Sequence, residues 1–279
     1  MQLDPSESDP QLKRMRLRYV GTCVRCGLAL PKGADALYCH TTRTVRCVEC
    51  STVGAGGERS RIDGGVAGAS AIREFVRRKA ARESRVKGRL GNLVGGVVLA
   101  LSGEPQSTRA WERGAFGEQQ LAEALAEVID LRALHDRRVP GTRGNIDHLL
   151  IAPAGVFVVD AKLYKGEIRI RDRGGLFRSD DRLYVGRRDC SHLAENMGSQ
   201  VESVRRVLES ADLEVMPPIT PVLCFVDGEW PLLWPPESYR GVRLEGKRSI
   251  KKLITRDRVL DVEAIDRLAR ILAVGFPAR

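Results

Sequence analysis

Two short motifs, Cys23-Val-Arg-Cys26 and Cys47-Val-Glu-Cys50, stand 20 residues apart in a chain of 279. Thiolates separated by two residues can grip one face of a tetrahedral ion, and a second such pair completes the shell of Zn²⁺. A unit of about thirty residues buries too little apolar surface to fold alone, so a bound ion would supply the missing stability. The spacing therefore predicts a structural zinc ribbon over residues 19–55, held by Cys23, Cys26, Cys47 and Cys50. Cys39-His40 could substitute as a ligand pair, but a buried Cys beside a surface His is the preferred reading, and the lone Cys190 and Cys224 read as packing residues. The first residues carry Asp4, Glu7 and Asp9 without the apolar stretch of a secretory signal. A cytoplasmic, reducing setting is expected, in which cysteines favour metal over disulfides.

Charge separates the chain into two unlike parts. The whole sequence has 46 Lys and Arg against 36 Asp and Glu, a formal +10. Residues 1–110 hold 19 basic and 10 acidic side chains, so residues 111–279 hold the remaining 27 and 26. The cationic excess is N-terminal, and a polyanion such as nucleic acid is the partner it implies. A membrane span is excluded on length, because the longest clean apolar run, Leu93 to Leu101, is nine residues where about 20 are needed.

The run of Gly, Ser and Ala over residues 51–70 reads as a flexible linker, followed by a helix over 71–89. That helix carries Arg73, Arg77, Arg78, Lys79, Arg82, Arg85, Lys87 and Arg89 against Glu74 and Glu83, a net +6. Its expected role is contact with nucleic-acid phosphates through Arg73, Arg77, Arg78, Lys79, Arg82 and Arg85. Linker and basic helix together occupy 56–110. The remainder, 111–279, alternates: a helical stripe over 111–130, a hairpin over 145–162, short strands at 167–170 and 182–186, a helix over 192–210, a buried strand at 219–227 and a last helix over 257–275. Such alternation is an α/β pattern. Neither Gly64-Gly65 nor Gly95-Gly96 is followed by the Lys-Ser/Thr of a phosphate-binding loop, so no ATP site is expected.

Several polar residues fall where that pattern calls for apolar ones. Glu118 opens the buried stripe of its helix beside Gly114 and Gly117, which would let another backbone approach. Gln200 sits three residues after Met197 and four before Val204. Asp160 ends the apolar run Val156-Phe157-Val158-Val159, Lys162 shares its strand face by the period of two, and Asp147 opens the partner strand. Carboxylates beside a lysine, without a Ser-His or Cys-His pair, suit a hard divalent cation and an activated water. His148 points to the opposite strand face from Asp147 and reads as a packing or supporting residue.

Gly114-Ala-Phe-Gly-Glu118, Gly144-Asn-Ile-Asp147-His148, Gly155-Val-Phe-Val-Val-Asp160-Ala-Lys162 and Gln200 together resemble the motifs of the nuclease-related domain (NERD) family of the PD-(D/E)XK nuclease superfamily. The resemblance runs from about Trp111 to about Asp227; Ile146 stands where the superfamily has Pro, and Asp160 fills the (D/E) position. It implies a restriction-endonuclease-like mixed sheet flanked by helices. It further implies Mg²⁺ or Mn²⁺ held by Asp147 and Asp160 with Glu118, a Lys162 that orients or deprotonates the attacking water, and Glu118 and Gln200 completing the site. A nuclease acting on nucleic acid, DNA in preference to RNA, is the activity expected; a nucleic-acid-binding or scaffold protein that keeps the fold without turnover is the alternative.

The hairpin register decides whether the two aspartates can meet. If Ala152 pairs with Gly155, Asp147 lies opposite Asp160. Pro153 at the second position of a type I turn and Gly155 in a left-handed conformation would instead give a three-residue loop that shifts the register by one. The sequence then requires a second bulge or a strand kink to restore the shared face.

Overall fold

The computed structural model describes residues 12–23, 29–39, 44–48, 62–102, 105–142, 144–175, 178–211 and 213–279. Its N-terminal part contains β1 (Leu12–Arg16), β2 (Gly21–Thr22), β3 (Ala29–Leu30), β4 (Asp35–Cys39) and β5 (Thr44–Cys47). β1, β4 and β5 form an antiparallel sheet and β2 pairs with β3. The core beneath these strands is Leu17, Cys23, Leu30, Ala36 and Cys47. Cys23 and Cys47 are adjacent, the backbone N–H of Cys47 donating to Cys23 Sγ at 3.2 Å. Cys26, Cys50 and His40 lie outside the described residues, and among those described no group of three or more metal-ligating side chains is gathered.

Three helices follow: α1 (Ala69–Leu90), α2 (Asn92–Leu101) and α3 (Gln106–Leu125). The glycine-containing stretch after the basic helix is thus helical over Asn92–Leu101. It leaves Leu93, Val97 and Leu101 exposed, so the spacing rule that links helices to a buried stripe gave no signal there.

The main sheet has six strands in the order β14-β15-β12-β8-β7-β6. These are β6 (Arg132–Arg138), β7 (Asn145–Ala152), β8 (Gly155–Lys162), β12 (Ile219–Phe225), β14 (Ser238–Tyr239) and β15 (Val242–Glu245). β12 runs parallel to β8 and β15, while the β6–β7–β8 pairings are antiparallel, so the sheet is mixed. Helices cover both faces. Leu149, Ile151, Val156, Val158, Leu223 and Phe225 pack against α4 (Ser191–Glu209) and α6 (Val262–Gly275). Leu150, Ala152, Phe157, Val159, Val222 and Cys224 pack against α3 and α5 (Ser249–Thr255). A strand buried on both faces needs apolar residues throughout, which is why β7 and β8 read as continuous runs rather than alternations. The last helix begins at Val262, not 257, because the Asp261 side chain accepts from Ala264 N–H at 2.8 Å and caps it there.

A second sheet, in the order β11-β10-β9-β13, is formed by β9 (Gly166–Asp172), β10 (Asp181–Val185) and β11 (Arg188–Asp189), which precede α4, and by β13 (Gly228–Glu229), which follows β12. Residues 62–68, assigned by composition to a flexible linker, are built into the main domain. Gly64 O accepts from His135 N–H at 2.7 Å, and Asp63 O accepts from Arg137 Nη1 at 2.7 Å. Arg137 is buried and also donates to the carbonyls of Phe276 and Ala273, joining this strap to the end of α6. The glycines here serve a close backbone approach: Gly68 has φ +75°, and a Cβ on it would lie 2.8 Å from Ala115 O.

Candidate active site

The β7–β8 hairpin turns tightly, with Ala152 paired to Gly155 and only Pro153-Ala154 between them. The three-residue loop and its shifted register are therefore not adopted. Gly155, at φ +131°, takes a conformation that glycine alone accepts readily. The ladder continues to His148 opposite Val159 and ends there, one residue short of each acid. β7 nevertheless loses its alternation at this point: Ile146 packs in the same cluster as Leu149 and Ile151 rather than with Leu150. On the neighbouring strand Asp136 has φ +47°, and the β6–β7 pairing skips it. The kink lies where the acids emerge.

Lys162 joins the two acids. Its Nζ donates to Asp160 Oδ1 and lies 4.0 Å from Asp147 Oδ2, while Ala161 N–H donates to Asp147 Oδ2 at 3.2 Å. The three side chains are recessed, with 17% of Asp147, 14% of Asp160 and 23% of Lys162 accessible. Burial, then the charges of Asp160 and Glu118, push the Asp147 carboxyl well above the usual carboxylate range. Burial alone would depress Lys162, but Asp160 and Asp147 outweigh it and hold the ammonium above its usual range. Lys162 is thus the counter-ion of an acidic pair.

Glu118 is brought to the same cleft by α3, whose close approach depends on Gly117: a Cβ there would sit 3.0 Å from Leu163 Cβ. Gly114 meets nothing within 4 Å, so only one of the two glycines serves that approach. Glu118 does not join Asp147 and Asp160 in a three-carboxylate cluster. Its Oε2 instead accepts the Gly68 N–H at 2.9 Å, and burial raises its carboxyl to about 7 against that hydrogen bond. Gln200 stands one step back: Nε2 donates to Asn145 O at 3.4 Å, two residues from Asp147, and Oε1 is buried without a partner.

Sequence reasoning missed Asp136. It is buried and accepts from Ser70 N–H at 2.6 Å and from Asn145 Nδ2 at 2.8 Å, tying the start of α1 to the start of β7. A polar residue at a mid-strand position of Arg132–Arg138 was the available signal. His148 pairs Nδ1 to Nδ1 with His135 at 2.7 Å, a bond that needs one ring to donate and the other to accept. The basic helix is partly committed to its own partners. Glu74 binds Arg77 and Arg78, Arg73 reaches Asp136, and Arg82 donates to Ser102. Lys79 and Arg85 are exposed.

Glu118, Asp147 and Lys162 open into one cleft of about 840 Å³, with Arg109, Arg113 and Arg188 on its walls. Recessed acids around a lysine, on a kinked hairpin of a mixed sheet, are now in place.

Residues 113–226 match the family model of the nuclease-related domain (NERD).

The matched nuclease-related domain includes Glu118, Asp147, Asp160, Lys162 and Gln200 and ends just past β12. Gly68 and Ser70, which bind Glu118 and Asp136, precede it, so the strap and α1 complete the cleft from outside the matched segment. No curated protein and no solved structure matches the chain. No helix among the described residues is long and apolar enough to cross a membrane.

Proposed function

We propose that the protein is a divalent-metal-dependent nuclease that hydrolyses phosphodiester bonds of nucleic acid, DNA being the preferred substrate. The observation that carries this reading is the gathering of Asp147 and Asp160 about one ammonium, Lys162 Nζ bonding Asp160 and lying 4.0 Å from Asp147. Mg²⁺ is commonly bound by one or two carboxylates plus waters and substrate phosphates, so two aspartates about one lysine fit it. The chemistry of the donors agrees: two oxygen-bearing acids held close enough to raise one carboxyl are a site that gains from a cation. Mg²⁺ or Mn²⁺ held there would neutralise charge on the scissile phosphate and favour a hydroxide nucleophile.

The chain's own groups do the rest. Lys162 as a cation orients a water and stabilises negative charge developing at phosphorus. Ala161 N–H fixes the rotamer of Asp147, and Gln200 holds the backbone at Asn145. Glu118, bound to Gly68, is a supporting acid whose charge tunes the pair rather than a first ligand.

The N-terminal unit is proposed as a zinc ribbon. A unit of this length buries little apolar surface for five strands, and the first cysteine of each CxxC pair is already side by side. The basic helix would add phosphate contacts through Lys79 and Arg85.

A nuclease fold without turnover is the second reading, favoured by the capture of Glu118 by a backbone amide. Incubating the protein with mixed single- and double-stranded DNA and RNA, with Mg²⁺ or Mn²⁺ and without, separates the two. Metal-dependent fragments support the nuclease; binding without fragments under every metal supports the scaffold.

A further inference from the structure

The cleft has a composition of its own beyond the acids and the lysine. Arg109 and Arg113 both line it from α3, one helical turn apart, which sets neighbouring side chains about 5–6 Å from each other. Arg188 lines it from β11 and lies over the ring of Tyr164, 4.7 Å from the ring centre. All three arginines are exposed, and among the described residues their one polar contact is Arg113 Nη2 to Leu163 O at 3.3 Å. They line the cleft, and among the described residues none of the three is in an ion pair. This contrasts with the arginines of α1, several of which are neutralised by Glu74 and Asp136.

We infer that the cleft binds an unpaired nucleic-acid strand, gripped by Arg109, Arg113 and Arg188, with the Tyr164–Arg188 stack as the platform for a base. The inference rests on the nuclease reading for its ligand class and goes beyond it in naming the strand state and the groups that select it. Two cations one turn apart on α3 match successive phosphates of one strand. An arginine backed by an aromatic ring is held flat, so it offers a face for a base as well as N–H donors for a phosphate.

The dimensions point the same way. A volume of about 840 Å³ lies within the roughly 300–1,000 Å³ of pockets that enclose a small organic molecule. It accommodates a few nucleotides and not the width of a duplex. Asp147 and Glu118 line it beside Lys162, and a base reaches the Tyr164 stack only when it is free of its own stacking partners. Aromatic platforms in a cationic groove are the usual grip on single strands.

The experiment is fluorescence anisotropy of the full chain with a labelled single-stranded oligonucleotide and with its duplex, across a salt series and without added divalent metal. The single strand is expected to bind at least about tenfold more tightly than the duplex, on the scale of stacking per base. Arg109→Ala with Arg113→Ala should flatten the salt slope by about 1.4, the value for two single-strand phosphates. Tyr164→Leu should cost roughly tenfold for the single strand and leave duplex binding unchanged. Lys79→Ala with Arg85→Ala should weaken both forms alike. Equal affinity for both forms, or an unchanged salt slope in the Arg109 and Arg113 variant, overturns the proposal. Because binding is read without metal, a protein that grips the strand and never cuts it defeats the nuclease reading while supporting this one. The arginines are exposed, so their removal leaves the fold intact as the comparison requires.

Discussion

Gly68 donates its backbone N–H to Glu118 Oε2 at 2.9 Å, across 50 residues of chain and from outside the segment that matches the nuclease-related domain. The bond joins the end of the glycine-rich strap to the acid that α3 contributes to the cleft. Ser70, two residues on, does the same for Asp136. The entrance to α1 is therefore part of the site's scaffold.

Gly68→Ala should destabilise the protein by about 2 kcal/mol, since the residue sits at φ +75° and a new Cβ would meet Ala115 O at 2.8 Å. Gly88→Ala is the control. It lies within α1 with nothing within 4 Å of an added Cβ, and should be neutral or slightly stabilising. Urea denaturation of both variants checks this; equal midpoints would mean that the strap is not packed as described.

Glu118 and the histidine pair give opposite pH dependences. Burial raises Glu118 to about 7, so the native state binds more protons than the unfolded chain between the ordinary carboxylate value and 7, and stability falls as pH rises through that window. Burial, with the charge of Arg137, lowers His135 to about 4, and burial lowers His148 further. Their contribution is complete above about 6.5, the ordinary histidine value, and is lost as pH falls toward 4. The two trends offset each other in the parent. Glu118→Gln keeps an acceptor for Gly68 N–H and removes the charge, so it should stabilise the protein at pH 8, match the parent near pH 4.5 and steepen the rise between. Denaturation at several pH values tests this, and a loss of stability at pH 8 would contradict it.

Lys162→Ala should destabilise the metal-free protein by about 1–3 kcal/mol, because it leaves Asp147 and Asp160 recessed beside each other without a counter-charge. Mn²⁺ should then raise the melting temperature of the variant more than that of the parent, the ion standing in for the lost ammonium. Equal shifts for the two proteins would remove the acids from the list of ligands.

Elemental analysis of reduced, purified protein should find about one Zn²⁺ per chain, the content expected of one Cys₄ shell. Cys23→Ser should lower it. Chelation should expose residues 19–55 to protease and leave the nuclease-related domain resistant, because that domain has a large apolar core on both faces of its sheet. Zinc-free protein of unchanged protease pattern would refute the ribbon.

The site was legible in the sequence where local pattern and chemistry coincide. Asp147, Asp160 and Lys162 were readable because a carboxylate or ammonium at the end of an apolar run has to be explained; parity joined Asp160 to Lys162, while the face of Asp147 depended on the turn and on the kink in β7. The turn was misjudged for a physical reason: Pro153 and Gly155 satisfy a three-residue loop as well as a two-residue one, and the choice is made by pairing along the whole hairpin. The strap was illegible because Gly64, Gly65 and Gly68 have no side chains to reveal periodicity; their fit depends on β6 and α3. Asp136 and the Tyr164–Arg188 stack depend on partners 9 to 66 residues away or on a strand crossing, which no local pattern encodes.

The central claim is that Asp147 and Asp160 form a metal-dependent phosphodiesterase centre with Lys162. The most direct measurement is the cleavage rate of a labelled oligonucleotide by the parent and by Asp160→Asn, purified side by side, with Mn²⁺ and with chelator. The account predicts fragments only for the parent with metal and a rate lower by roughly 10²–10⁴-fold in the variant. Equal rates for parent and variant, or equal rates with and without metal, would contradict it.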